Sequence, residues 1–290
     1  MTSPFVHLHV HTEFSLVDGI VRVKPLCKTV AEMGMPAVAV TDQSNLFSMV
    51  KFYRAAMSSG IKPVIGVDVW IHSNDESEAP YRLVLFCRDM QGYQNLTYLV
   101  SRSYQEGQHR GIPMLMREWL PGYTDGLIAL SGAREGDVGR SILAGNLDEA
   151  DQLAQGWAKL FPDAYYLELQ RTGRNGDEDV LHASVGLAQK LGLPVVATND
   201  VHFIAEDDFE AHEARVCIHD GRTLNDSRRP KNYSEQQYLR TPEEMAELFS
   251  DIPEALENTV EIARRCNLEL VLGENFLPDF PVPEGMDVNS

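Results

Sequence analysis

The chain has 290 residues, of which 43% are hydrophobic and 23% are charged, and its formal net charge at pH 7 is −18. This length can hold one large α/β barrel or two smaller domains. The negative charge argues against a module that grips nucleic acid by itself, because contacts to the phosphate backbone depend on Lys and Arg.

The four cysteines lie far apart and form no C-x-x-C pair, which excludes a disulfide framework and a structural zinc knot. Free thiols in a reducing cytosol are the expectation. The chain opens without the basic and apolar segments of a secretion signal. No run of about 18 apolar residues is present, so the sequence predicts no membrane span. We therefore expect a cytoplasmic protein without a membrane partner.

The first predicted strand carries three histidines, His7, His9 and His11. Side chains alternate between the two faces of a strand, so the three imidazoles share one face. Neutral imidazoles suit a borderline cation such as zinc or manganese, because each ring offers a nitrogen lone pair. Asp18 adds a carboxylate just past this strand.

A second histidine–carboxylate pair lies far along the chain. Asp200 and His202 follow the apolar run 194–197, which is predicted to be the last strand. A single pair of this kind is more often a hydrogen-bonded structural feature. Two pairs, each at a strand end, favour an open metal site.

Apolar periodicity between these two ends alternates between strand and helix. After the first strand, further strands are predicted at 36–42, 63–71, 81–87, 126–132, 165–169 and 194–198. Helices are predicted at 23–33, 46–59, 93–105, 137–143, 147–160 and 178–191, with Asn45 as the cap of the second. Beyond Asp207 the pattern is mostly helical, and Pro242 and Pro253 open helices there. We expect residues 108–122 to be irregular and residues 276–285 to be extended.

Alternating strands and helices predict an α/β protein with a parallel sheet. Polar residues at or just after the strand ends decide between an open sheet and a closed barrel. These residues are His9, His11, Asp42, Asp68, Ser131, Glu168, Asp200 and His202. Only a closed barrel brings so many strand ends to one mouth, so the sequence predicts a barrel.

Several segments together resemble the PHP (polymerase and histidinol phosphatase) domain, in the version found in bacterial replicative DNA polymerase III alpha subunits. The segments are 6–19, 39–45, 60–66, 92–96, 197–203 and 229–234. The resemblance covers nearly the whole chain. It implies a distorted seven-stranded (βα)7 TIM-like barrel at 1–272, followed by an extended linker at 273–290 that leads toward a polymerase palm.

The same resemblance implies a set of metal ligands. PHP enzymes hold up to three metals with nine His, Asp and Glu ligands. The implied ligands here are His9, His11, Asp68 and Asp200 for a first ion, and Asp18 and His202 for another. Asp68 stands where the family usually has a glutamate. The implied cofactor is a divalent metal (Zn, Mn or Mg), at partial occupancy or absent.

Three ligand positions are degenerate. Gln43 and Arg82 replace usual histidines, and Ala133 replaces a usual His or Cys. A guanidinium cannot coordinate a cation, because it is permanently charged and has no lone pair. Arg82 could instead place a fixed positive charge beside Asp68, or it could be a surface arginine at a strand start.

Three functions follow from the resemblance. The first is a structural domain of a DNA polymerase III alpha subunit, which braces the remaining polymerase domains of the same chain and docks the proofreading exonuclease subunit. The full subunit would be a DNA-directed DNA polymerase, whereas this domain alone is expected to have little phosphoesterase activity, no assignable catalytic residue and no direct DNA binding. The second is an active metal-dependent phosphoesterase, either a 3′–5′ exonuclease or a pyrophosphatase. The third, a free-standing histidinol-phosphatase-like enzyme, is disfavoured by the polymerase-like segments.

Overall fold

The computed structural model describes residues 5–73 and 79–274. The strands within these residues are β1 (Ala37–Val40), β2 (Lys62–Ile71), β3 (Tyr81–Cys87), β4 (Gln108–His109), β5 (Ile112–Leu115), β6 (Leu127–Leu130), β7 (Tyr165–Gln170) and β8 (Val195–Thr198). The α-helices are α1 (Val23–Glu32), α2 (Met49–Ser58), α3 (Met90–Gln105), α4 (Asp137–Leu143), α5 (Leu147–Leu160), α6 (Asp177–Leu191), α7 (Phe209–Asp220), α8 (Pro242–Leu248) and α9 (Pro253–Arg265).

The strands form a ring in the order β1, β2, β3, β6, β7 and β8. The segment 5–12 closes this ring. On one side of it, the amides of Ala39 and Thr41 donate to the carbonyl oxygens of His7 and Val10 at 2.8 and 2.9 Å. On the other side, the amide of His11 donates to the carbonyl of Val201 at 2.8 Å, and the amide of Val201 donates back to His9. The described residues thus close into the α/β barrel that the sequence predicts, although 5–12 forms only isolated bridges rather than a regular strand.

The prediction of a wholly parallel sheet is wrong at β3. This strand runs antiparallel to both of its neighbours, β2 and β6, whereas β1–β2, β6–β7 and β7–β8 are parallel pairs. Among the elements predicted from the sequence, β2 and β3 are the one pair of successive strands with no helix between them. Antiparallel strands can be joined by such a short connection, whereas parallel strands need a longer crossover. The start of β3 therefore lies at the same end of the ring as the carboxyl ends of the other strands.

Helices cover the outside of the ring, and their buried faces follow the predicted periodicity. Helix α2 packs against β2, α3 against β3, α6 against β7 and α9 against β8. Helices α4 and α5 have the predicted bounds, and Pro242 and Pro253 open α8 and α9 as expected.

Two local predictions are wrong. Residues 108–122 contain the β4–β5 hairpin, and β5 extends the sheet beside the end of β2. Helix α2 begins after Ser48, so Asn45 does not cap it; the Asn45 amide instead donates to the carbonyls of Phe14 and Gln43. Apart from 273–274, the predicted linker at 273–290 lies outside the described residues.

Candidate metal centre

The structure brings the six predicted ligands together at one end of the ring, the mouth of the barrel. His9 and His11 come from the segment that closes the barrel, Asp18 from the turn after it, Asp68 from β2, and Asp200 and His202 from the segment after β8. Each of these residues is at most 3% exposed. Buried polar groups need hydrogen-bonding or charged partners, so the distances between these side chains show which of them are paired.

One group of potential donors consists of His9, His11 and Asp68, whose ligand atoms all lie within 4.8 Å of one another. The Nε2 atoms of His9 and His11 lie 3.4 and 3.2 Å from Asp68 Oδ2. His9 Nε2 is also 3.6 Å from Asp200 Oδ1. The arrangement can hold one divalent cation with two nitrogens and a carboxylate oxygen.

A second group consists of His11, Asp18 and His202. His11 Nδ1 lies 3.2 Å from Asp18 Oδ1, and the His11 and His202 ring centroids are 4.6 Å apart. His11 thus belongs to both groups, through different nitrogens. A neutral imidazole has only one free lone pair, so His11 can serve one cation but not two.

Arg82 occupies the space between these groups. Its Nη1 donates to Asp68 Oδ2 at 2.9 Å, and its Nη2 donates to Gln43 Oε1 at 3.2 Å and to Asp18 Oδ2 at 3.5 Å. The guanidinium also lies 4.8 Å from the centre of the Trp70 ring. Arg82 is 8% exposed, so it is not a surface arginine. It reaches the mouth because β3 is antiparallel and starts there.

The other two degenerate positions offer no ligand to replace the missing histidines. Ala133 is buried at the start of a 3-10 helix, Ala133–Glu135, and its methyl group has no donor atom. The Gln43 side-chain oxygen accepts from Arg82. A multi-ion cluster therefore lacks the ligands it would need around Arg82, whereas the donors of either triad fit a single ion.

The electrostatics of the mouth follow from the same contacts. Burial alone would raise the pKa of Asp68, but Arg82, His11 and His9 hold it well below its usual range. Burial alone would lower the pKa of His11, but Asp18 and Asp68 raise it to about 9. The pKa of His9 is likewise raised, against burial, chiefly by Glu168 and Asp200.

The carboxylates at this end of the ring lie among positive neighbours. The pKa values of Asp18 and Asp200 are also held below their usual range, against burial, by neighbouring histidines. Arg82 lies beside Asp68 and Asp18, Arg174 lies beside Asp200, and the imidazoles of His9 and His11 contact the same carboxylates. A cation entering here has to displace protons from the histidines before it can bind.

Glu168 supports the first group without belonging to it. Its Oε1 accepts from His9 Nδ1 at 2.7 Å and from Thr198 Oγ1 at 2.5 Å. A carboxylate on one ring nitrogen orients a histidine for metal binding through the other. The remaining predicted mouth residues have structural roles, since Ser131 accepts from the Glu168 amide and Asp42 binds the hydroxyls of nearby residues.

His7 does not join the centre, contrary to the shared face predicted for the three histidines. Its Nε2 lies 2.8 Å from the Arg240 carbonyl oxygen, and its ring packs edge-on against Phe5. The segment 5–12 is not a regular strand, so strict alternation of side chains does not hold along it.

Several residues at the mouth were missed from the sequence, and Gln237, which donates from Nε2 to Asp200 Oδ2 at 2.8 Å, is one of them. The Tyr233 hydroxyl donates to Asp18 Oδ2 at 2.9 Å, and Arg174 Nη2 lies 3.5 Å from Asp200 Oδ2. Tyr233 falls in the segment 229–234 that carries part of the PHP resemblance, which was the available signal for it. Arg174 had no such signal.

Comparison with known proteins places these features in a family. DNA polymerase III subunit alpha of Pseudomonas aeruginosa is 58% identical over 289 residues, and that of Escherichia coli K12 is 53% identical over 282 residues. The alignments cover 100% and 97% of this chain but only 25% and 24% of those proteins. The chain thus spans about a quarter of the length of these relatives.

Among solved structures, a candidate metal-dependent phosphoesterase from Bifidobacterium adolescentis is 12% identical, with a TM-score of 0.47 over 69% of this chain and 88% of that one. A likeness this low carries no argument about the centre. No helix of the described residues is long and apolar enough to cross a membrane. The profile of the PHP domain matches residues 7–172, more than half of the chain, and the chain therefore belongs to the PHP domain family.

Proposed function

We propose that this chain is the PHP domain of a DNA polymerase III alpha subunit and that its role is structural rather than catalytic. The observation that carries the proposal is the position of Arg82, whose guanidinium contacts Asp68, Asp18 and Gln43 at a place where the family resemblance implies a metal ligand. The high identity to alpha subunits supports the same role.

The chemistry of phosphoester cleavage explains why this arrangement weakens catalysis. Two metals a few ångströms apart stabilise the attacking and the leaving oxygen of a phosphoryl transfer. A single divalent ion held by His9, His11 and Asp68, with Asp200 nearby, could polarise a phosphoryl oxygen or activate a water, but it could not stabilise the attacking and the leaving oxygen together. The guanidinium adds charge but cannot generate a bound hydroxide, so we expect the rate to fall by orders of magnitude.

Two partners follow from this role. The barrel would brace the remaining polymerase domains of the alpha subunit and dock the proofreading exonuclease subunit in the cytoplasm. Direct binding to DNA is not expected, since the net charge is −18. Within the basic cluster 228–231, Arg228 pairs with Asp226 and Arg229 pairs with Glu213.

A second candidate function is a metal-dependent phosphoesterase, and the donor triad of His11, Asp18 and His202 favours it. This triad lies beside Arg82 but keeps two nitrogens and a carboxylate for one ion. Such an enzyme would work with fewer ions than the family resemblance implies.

Hydrolysis of a 3′-end-labelled primer in the presence of manganese tests the two candidates. We expect the purified protein to release no label above the level of its His11→Ala and Asp200→Ala variants. His11 belongs to both donor groups, and residual nuclease contamination does not depend on either residue. A rate that falls when either residue is replaced would establish the phosphoesterase and overturn the structural role.

A further inference from the structure

Helix α3 presents an unusual surface for so acidic a protein. The chain has 43 Asp and Glu residues, yet none of them lies among the 16 residues of α3. Its outer face instead exposes Met90, Tyr98 and Tyr104, at 42%, 45% and 40% of their surface. The charged residue of the helix, Arg102, is neutralised by Glu106 and stacks over Trp119 at 4.1 Å. This face is therefore neutral and rich in aromatic side chains.

A groove of about 490 Å³ runs along one side of this helix. Its walls come from α3, through Tyr93, Val100 and Tyr104, and from the connection into α2, through Leu46 and Phe47. Phe47 is 62% exposed, more than most large apolar side chains of the described residues. The groove joins exposed Tyr104 of the helix and Phe47 of the loop into one surface, and Tyr98 lies on the neighbouring side of the same helix.

The composition of this surface is that of a protein interface. Interface cores are depleted in charged residues and enriched in Tyr, Phe, Met and Arg relative to other surface. Single exposed apolar residues need no explanation, but a contiguous patch indicates a binding surface. Tyr98 is also held rigid, because its ring stacks on Tyr123 with centroids 4.6 Å apart. A rigid aromatic side chain loses little entropy when a partner binds.

The position of the last described residues points to the occupant. The amide of Asn267 donates to the carbonyl of Arg88 at 2.6 Å, and α3 begins two residues after Arg88. Val271 and Leu272, four and five residues further on, are exposed at 65% and 38% of their surface. The described residues after α9 thus pass the first turn of α3. A second copy of this chain is a poor occupant, since each copy carries a net charge of −18.

We propose that the outer face of α3 and the Phe47 loop form the surface on which the polypeptide following this domain in the alpha subunit packs. This inference rests on the proposed function, because it requires the three quarters of the related proteins that this chain does not span. Tethering makes the contact intramolecular, so a modest apolar surface suffices to hold it.

Hydrogen exchange measured by mass spectrometry tests the surface. We expect amides of residues 46–50 and 93–105 to exchange roughly 10-fold more slowly in the full-length subunit than in the 290-residue chain. A double substitution, Phe47→Asp with Tyr104→Asp, should abolish this difference in the full-length subunit. Ile218→Asp on α7, at a position 74% exposed, is the matched control and should preserve it.

Each outcome has one meaning. Equal exchange in the two proteins would overturn the inference, as would protection that appears only when the exonuclease subunit is added or when the 290-residue chain dimerises. An unchanged melting temperature of the isolated chain with both substitutions would show that folding is intact. Hydrolysis of the 3′-end-labelled primer separately tests the proposed function, which can stand even if α3 is not protected.

Discussion

The guanidinium of Arg82 changes how the carboxylates of the barrel mouth are neutralised. A bound cation competes with protons for its histidine ligands, so its contribution depends on pH and on metal supply. A guanidinium stays charged at every pH at which the protein is folded. Asp68 and Asp18 therefore keep a positive neighbour at all times, and that neighbour is part of the chain itself.

Restoring the missing ligands should restore metal binding. We expect the triple variant Gln43→His, Arg82→His, Ala133→His to retain at least one more manganese or zinc ion per chain than wild type after dialysis, because it replaces a repelling cation with donors. Metal analysis of the dialysed proteins measures this. Arg82→Lys keeps the positive charge and is the control, which should bind no more metal than wild type. Three fully occupied ions in wild type would contradict this view of the centre.

The buried thiols should be unreactive in the folded protein. Burial raises the pKa of Cys27 to about 11 and that of Cys266 to about 12, from an ordinary value near 9. At pH 8 this lowers the thiolate fraction of Cys27 roughly 100-fold. Above pH 9 the unfolded chain loses these protons while the folded chain keeps them, so the free energy of unfolding falls as pH rises. Labelling with a thiol reagent, with and without urea, checks the prediction, and equal rates would contradict it.

At the scale of elements, Asp42 joins the segment that closes the barrel to the connection between β1 and α2. Its carboxylate accepts from the amide and hydroxyl of Thr12 at 2.7 and 2.8 Å, and from the hydroxyls of Ser15 and Ser48 at 3.0 and 2.6 Å. These bonds fasten the entry of α2 to residues 12–15. Asp42 thus lies at a strand end for a structural reason.

Loss of that carboxylate should loosen the closing segment. We expect Asp42→Ala to lower the free energy of unfolding by roughly 1.5–3 kcal/mol, because buried donors lose a charged acceptor. Urea denaturation followed by circular dichroism measures the change. Glu257→Ala, on the exposed side of α9, is the matched control and should have little effect. If Asp42→Ala lowers the free energy of unfolding no more than Glu257→Ala does, Asp42 does not stabilise the closing segment.

Periodicity and strand-end polarity were sufficient to predict most helices, the barrel and the meeting of two His/Asp pairs. The apolar pattern of β3 does not give its direction, because parallel and antiparallel buried strands share one pattern. The available signal was the short connection without a helix between β2 and β3, which an antiparallel pair allows. The direction of β3 determines that Arg82, near a strand start, lies at the mouth rather than at the opposite end. Tyr233 and Arg174 reach the centre from loops, whose paths depend on tertiary packing and not on local periodicity.

For the molecule as a whole, the residues that form the candidate metal centre also close the ring. The side chains of His9 and His11 contact the carboxylate of Asp68 at the mouth. The backbones of the same two residues make the hydrogen bonds that close the ring beside Val201. Disturbing the charge balance at the mouth should therefore affect global stability and not only a local site. An unpaired buried charge is costly, so the loss of Arg82 should lower the free energy of unfolding of the whole barrel.

The free energy of unfolding of Arg82→Met in the presence of a chelator tests most directly whether the arginine stands in for a metal. Methionine keeps much of the apolar stem while removing the charge, and Arg228→Met, at an exposed arginine, is the control. We expect a loss of about 3–5 kcal/mol relative to wild type, the range for removing one partner of a buried ion pair, and partial recovery when manganese replaces the chelator. An unchanged free energy of unfolding in chelator would contradict the role assigned to Arg82.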